Sequence, residues 1–215
     1  MKKYIFLFTL LLTLNVFADD NQEPQIETLF GSNDYKIGGY IAYEMKFSDF
    51  NKEFGLLTGG RLGIIFNSSF AVGLAGYGLN TNHSVIIPSS DMLDLNNGYG
   101  GIFLEYINSP NKLVHFTIHS LIGAGGVKIE GKTYPTFNKI ISRSAYFIFE
   151  PGISAEVNLL RYLRLGVGAS YRLVTGLDNV YVDNNSLSGF SGNLIIKFGF
   201  FDEIKFPKFI NEFVK

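Results

Sequence analysis

Hydrophobic and polar positions alternate without a break from Ala145 to Leu159. Phe147, Phe149, Pro151, Ile153, Ala155 and Val157 share one parity; Glu150, Gly152, Ser154, Glu156 and Asn158 share the other. After Leu160-Arg161-Tyr162 the pattern resumes. Leu163, Leu165, Val167, Ala169, Tyr171 and Leu173 oppose Arg164, Gly166, Gly168, Ser170 and Arg172. Side chains of a strand point alternately to its two faces, so the two arms predict a β-hairpin with one apolar and one polar face. A soluble half-buried sheet crowds its wet face with Lys, Glu and Thr. Here that face is mostly Gly, Ser and Asn, punctuated by carboxylates and arginines. Small residues with a few long charges suit the inside of a narrow barrel whose bulky apolar face meets lipid.

The same alternation predicts strands over 35–47, 54–66, 70–79, 99–107, 113–127, 145–159, 163–174 and 190–201. Tight turns at 67–69, 108–111 and 160–162 alternate with the connections 48–53, 81–98, 130–143 and 176–189. A sheet that must leave no unpaired backbone in lipid has to close. The expectation is an all-β, eight-stranded antiparallel up-and-down transmembrane β-barrel. Its short turns would face the periplasm and its longer loops the exterior. Pro151 lacks the N–H of a closed ladder, so a bulge or a missing ladder bond is expected beside it.

Composition agrees with this class. Charged residues make up 17% of the chain, below the ~25% usual for globular domains, and 24 Gly, 21 Phe and 12 Tyr accompany no Trp. The absence of Cys rules out disulfides, thiol chemistry and a lipoprotein anchor. A net charge of −1 gives no footprint for nucleic acid. Lys2 and Lys3 precede an apolar run from Tyr4 to Leu14, and Val16-Phe17-Ala18 follows. This predicts a signal peptide over 1–18, export, and a mature start at Asp19; the run is shorter than the ~20 residues a spanning helix needs. Taking Lys2 and Lys3 from the 18 basic residues leaves 16 against 19 acidic. Residues 19–34 read as a flexible lead-in, 35–201 as the barrel and 202–215 as a periplasmic tail. Ile204, Phe206, Phe209, Ile210 and Phe213 of that tail would lie on the inner leaflet or tuck under the barrel.

With this strand count, the turn alternation and the terminal run Lys197-Phe198-Gly199-Phe200-Phe201, residues 35–201 resemble the small outer-membrane barrels of the OmpA/OmpX type, also described as porin-family outer-membrane β-barrels. The resemblance implies outer-membrane lipid as the surroundings, recognition of the strand Lys197–Phe201 by the barrel assembly machinery, and a monomer. The sequence departs from the pattern in continuing past Phe201, where many members stop. No active-site motif comes with the resemblance.

Inward parity collects Lys36, Lys46, Arg61, Arg164, Arg172 and Lys197 against Glu44, Glu105, Glu150 and Glu156, with His115 and His119. Charges withdrawn from water need partners, so a salt-bridged network is expected. It would plug the lumen or, alternatively, set the selectivity of a narrow pore or carrier. Pairing i with about 322 − i across the 160–162 turn sets Glu150 opposite Arg172 and predicts that ion pair. His115 and His119 stand roughly 13 Å apart by strand rise, too far to share one metal ion. Lipid A deacylases place His and Ser two positions apart on the lipid-facing surface, whereas His119 and Ser120 are adjacent and face opposite ways. His83, Asp91, Asp94, Asp178 and Asp183 fall in the predicted loops and match no omptin-like or cation-binding spacing. The sequence therefore predicts no catalytic residue, metal site or cofactor. It predicts a structural or binding role, with an unknown extracellular ligand at loops 81–98, 130–143 and 176–189. A lipid-modifying enzyme or a lipocalin-like barrel with reversed faces are the lesser alternatives.

Overall fold

The computed structural model describes residues 36–50, 53–81, 83–86, 92–133, 137–179 and 182–201. The signal peptide expected at 1–18, the lead-in at 19–34 and the tail at 202–215 lie outside the described residues. Strands β1 (Ile37–Phe50), β2 (Glu53–Phe66), β3 (Phe70–Leu79), β4 (His83–Ile86), β5 (Met92–Asn108), β6 (Val114–Thr133), β7 (Phe137–Leu160), β8 (Leu163–Thr175) and β9 (Gly189–Phe200) account for nearly all of them. One turn of helix, α1 (Asn184–Leu187), is capped by Asp183, whose carboxylate accepts from the Ser186 N–H at 2.8 Å.

Consecutive barrel strands pair antiparallel. The ring closes twice over: β1 pairs with β9, and β3 pairs with β5, leaving β4 outside as a short arm on β5. Eight strands therefore form a closed up-and-down barrel, which satisfies the backbone of every strand without an edge. The β7–β8 register follows the 322 sum, with Phe149↔Leu173 and Gly152↔Ser170. The ladder skips Glu150 and Pro151 and resumes in the same register, as expected beside a proline. Both ends of the barrel chain and the turns at 67–69, 109–113 and 161–162 share one rim.

Two predicted loops are corrected at the opposite rim. Residues 81–98 contain β4 and the first residues of β5. Residues 130–143 are mostly the continuation of β6 to Thr133 and the start of β7 at Phe137. With 20 and 24 residues, β6 and β7 are about twice as long as the ~9–11 needed to cross a bilayer, so this hairpin projects beyond the barrel. Along these extensions the alternation of apolar and polar residues that marks the lower halves fades. Lys36 is also corrected: it precedes β1 and is exposed, not lumenal.

The faces have the polarity of an inside-out protein. Ile41, Leu62, Ile118 and Val167 point outward and are 58–60% exposed, while Glu44, Lys46, Arg61 and Arg172 point inward and are 0–3% exposed. Aromatic rings flank the aliphatic band. Phe70 packs on Tyr106 at 5.0 Å near the short-turn rim, joined by exposed Phe116, Tyr162, Phe198 and Phe200. Near the other rim Tyr171 packs on Phe190 at 4.6 Å and Phe47 on Phe54 at 6.3 Å. Two aromatic girdles around an apolar band are what a bilayer requires of a barrel wall.

Glycine makes room inside. Tyr40, Tyr146 and His119 each lie directly across the ladder from a glycine: Gly63, Gly125 and Gly152. A Cβ at those positions would come within 2.9, 2.3 and 2.4 Å of the facing ring. The Gly-rich polar parity thus reflects volume at these positions, since each of the three rings lies over a missing side chain.

Val167 sits in the middle of the outer band. Val167→Arg is expected to lower stability in lipid by about 2–4 kcal/mol, read as a shifted urea midpoint for folding into phospholipid vesicles. An unchanged midpoint would mean that this face does not meet lipid.

Candidate functional site

The inward side chains assemble in three storeys. At the centre Arg61 of β2 grips Glu44 of β1 through two bonds of 2.7 Å, Nε to Oε2 and Nη2 to Oε1. The Tyr77 hydroxyl donates to the same carboxylate, and Arg61 lies 4.3 Å over the Phe103 ring. Arg61 also stands 3.8 Å from Glu105 of β5. Lys197 of β9 reaches Glu105 and Glu156 at 2.5 Å each. β9 and β5 are four strands apart on the eight-strand ring, so the Lys197–Glu105 pair spans its diameter. Tyr40 donates to Glu105 at 3.1 Å, Thr117 donates to Glu156 at 3.4 Å, and His115 lies 3.5 Å from Glu156.

One layer up, Lys46 of β1 meets Glu150 of β7 at 2.6 Å. Tyr99 and Ser170 donate to the same carboxylate at 2.7 and 2.6 Å, and Asn193 donates to Ser170 at 3.2 Å. Lys46 Nζ sits 3.6 Å from the centre of the Tyr77 ring, and Tyr77 packs at a tilt against Tyr99, 5.3 Å between centroids. These contacts knit the two charge clusters into one. Charge-assisted bonds and cation–π contacts replace the water that each ion loses on burial.

The topmost storey is apolar. Leu57, Val127, Ile129, Ile148, Val174 and Leu187 are buried together, with Leu187 contributed by α1. Arg172 fastens this segment from below: its Nε donates to the Leu187 carbonyl at 2.6 Å and its Nη2 to Ser48 Oγ at 3.2 Å. Ser144 Oγ donates to the Asp178 carbonyl at 2.6 Å, and Asn179 Nδ2 donates to Ser142 and Ser144. The described parts of the connection, 176–179 and 182–188, therefore form a lid bonded to β7 and β8. At the opposite rim Arg164 lies 3.8 Å over the Phe201 ring, which stacks on Tyr40.

The structure buries Lys46, Arg61, Arg164, Arg172, Lys197, Glu44, Glu105, Glu150, Glu156, His115 and His119. It does not pair Glu150 with Arg172. Their backbones face each other by register, but Glu150 takes Lys46 from across the lumen, while Arg172 turns up to the lid. His119 packs on Phe103 at 5.7 Å, with Arg61 Nη2 3.5 Å from its Nε2. Tyr40, Tyr77, Tyr99, Ser170 and Asn193 complete the network; their place on the polar parity was the signal for them. Asp183 serves as the α1 cap. Asp91 lies outside the described residues, as do the side chains of His83 and Asp94. Among the described residues no three of His, Asp and Glu gather in a metal-binding arrangement.

No family model and no curated protein matches this sequence. Among solved structures it is similar to the N-terminal β-barrel domain of OprF from Pseudomonas aeruginosa, at 12% identity and a TM-score of 0.45, covering 75% of this chain and 99% of that one. Ail of Yersinia pestis, solved with the heparin analogue sucrose octasulfate, matches at 11% identity and 0.47, covering 78% and 99%. Neisserial surface protein A matches at 14% and 0.42, covering 77% and 96%.

Glu150→Gln leaves Lys46 as an uncompensated buried cation and is expected to cost about 3–5 kcal/mol. Adding Lys46→Gln is expected to recover part of that loss. Urea titrations of the four-member cycle in lipid vesicles check this; additive effects would show that the two charges are not coupled.

Proposed function

We propose that the protein is a non-enzymatic outer-membrane barrel with a sealed lumen, acting through the surface at its projecting rim. The observation that carries the reading is the Lys197–Glu105 bridge across the full width of the lumen, beneath an apolar storey closed by α1. An eight-stranded ring has little interior volume beyond its side chains, and here ion pairs and aromatic rings take it up. The girdled apolar band over a closed ladder supports a bilayer as the surroundings. With the expected export signal, the outer membrane is the compartment proposed. The short-turn rim then faces the periplasm, and β4, the upper halves of β5–β7 and the 176–188 lid face outward.

That outward surface is where a ligand or partner, still unidentified, is to be sought. Lys197 to Phe201 remains the proposed contact for barrel assembly, with Phe198 and Phe200 outward on the last strand, and the barrel is proposed to work as a monomer. No catalytic role is proposed for His115 or His119, which serve the network and the packing. Ser120, beside His119, is on the opposite face.

Two measurements test the proposal. Planar bilayers holding the refolded barrel should show no discrete conductance steps, and a stable open level in the wild type would favour the pore. Protease added to intact cells should cut only within 80–91, 134–136 or 176–188. Cleavage at 67–69, 109–113 or 161–162 would invert the orientation.

A further inference from the structure

The outer wall carries a groove of about 330 Å³ that crosses β7, β8, β9 and β1. Its lining follows two ladder rows. In one, Val157 faces Leu165, Leu165 faces Ile196 and Ile196 faces Tyr43. In the next outward row Ala155, Val167, Leu194 and Met45 are matched in the same order. The Tyr43 hydroxyl is the one polar group these side chains carry. Gly166 and Ile195, on the inward parity, line the floor. Neighbouring strands lie about 4.8 Å apart, so three strand-to-strand steps give the groove a length of about 14 Å.

The groove climbs the wall. The row through Ala155 continues past β7 to Phe116 of the short-turn girdle, while at the other end Met45 stands two residues from Phe47 of the far girdle. The β7 end is therefore the low one, and two turns are tied together beside it. Asn158 Nδ2 donates to the Pro110 and Lys112 carbonyls at 2.9 and 2.7 Å, and the Asn158 N–H donates to the Leu113 carbonyl at 2.9 Å. The β5–β6 turn and the end of the β7–β8 hairpin thus form one ledge. It carries Lys112 and Arg161, both exposed. Residues 108–113 and 160–163 contain no Asp or Glu, and among the described residues neither cation is ion-paired. Tyr162 of the girdle follows Arg161 directly, which sets the ledge at the level of lipid headgroups. Leu159, exposed and two residues from Val157 on the same face, joins ledge to groove.

We propose that ledge and groove together hold one anionic phospholipid, its phosphate on Lys112 and Arg161 and an acyl chain along the groove. Two cations without a carboxylate beside them select phosphate at this level. A zwitterionic headgroup would bring its own ammonium toward them and gain less. The groove takes a hydrocarbon chain, because a polar occupant would leave its groups unpaired against apolar side chains. The proposal rests on the reading of this wall as lipid-facing and is independent of the sealed lumen.

The test folds the barrel into phosphatidylcholine vesicles that contain a small fraction of a photoreactive phospholipid. Its acyl chain bears a diazirine, and its headgroup is either phosphatidylglycerol or phosphatidylcholine. After illumination, the phosphatidylglycerol form should label residues 155–167 and 194–196 several-fold more than the opposite wall at Leu74 and Ile102. It should also label the groove several-fold more than the phosphatidylcholine form does. Lys112→Gln with Arg161→Gln should bring groove labelling down to the phosphatidylcholine level, with heat-modifiable gel mobility verifying the fold. Ala155→Phe, which fills the groove and leaves the ledge intact, should lower labelling at 194–196 several-fold. Equal labelling by the two forms or of the two walls would overturn the proposal while leaving the wall in lipid. So would a preference that survives the loss of both cations, or labelling at 194–196 undiminished by Ala155→Phe. Absence of label from both walls would overturn it together with the lipid-facing wall.

Discussion

The structure depends on the confinement of charge. Lys46, Arg61 and Lys197 share the middle of the barrel with Glu44, Glu105, Glu150 and Glu156, in a space too narrow to hydrate them. An isolated ion there would cost several kcal/mol, so each is held by an opposite charge, a hydroxyl or a ring face. The contacts run between strands that are not neighbours in the ring: β1 to β7, β2 to β5, β9 to β5 and β7. The same pairs that neutralise the lumen therefore brace it. They also fill it, which is why a sealed barrel and not a passage is the function the interior supports.

The wall obeys a complementary constraint. Closing the ladder removes every backbone edge from the apolar band, and the aromatic rings mark the two levels where that band ends. Inside, cross-strand glycines give Tyr40, Tyr146 and His119 the volume they need. Removing a Cβ on one strand admits a ring from the next. Above the band these constraints relax. There the β6–β7 hairpin continues beyond the barrel, and the connection 176–188 folds over the opening with Leu187 as its apolar foot.

Much of this was legible in the sequence, because parity is a strict property of strands. The inward set from Glu44 to Lys197, the outward set around Val167 and the 322 register of the last long hairpin all follow from alternation. What alternation does not encode is which inward side chains meet across the ring. Glu150 lies opposite Arg172 along the ladder, yet its ion pair is with Lys46, from a strand a hundred residues earlier that the register of one hairpin says nothing about. The projecting strands were hidden for a different reason. Met92 to Gly98 and the hairpin around 130–143 carry polar residues on both parities, and such stretches read as loops. Lys36 fits the parity but falls one residue before the ladder begins. Phe201 belongs to the aromatic terminal run in sequence, but the chain leaves the strand there and its ring turns inward.

The side-chain ammonium groups report most directly on the sealed, charge-filled lumen. Lysine ammonium protons in contact with bulk water exchange rapidly at neutral pH, and protection requires that water be excluded. In the folded barrel, ¹⁵N-lysine NMR should show slowly exchanging Nζ protons for Lys46 and Lys197, against fast exchange at exposed Lys36 and Lys112. Exchange at Lys46 and Lys197 as fast as at the two exposed lysines would contradict the account, because it would mean that water reaches the centre of the barrel.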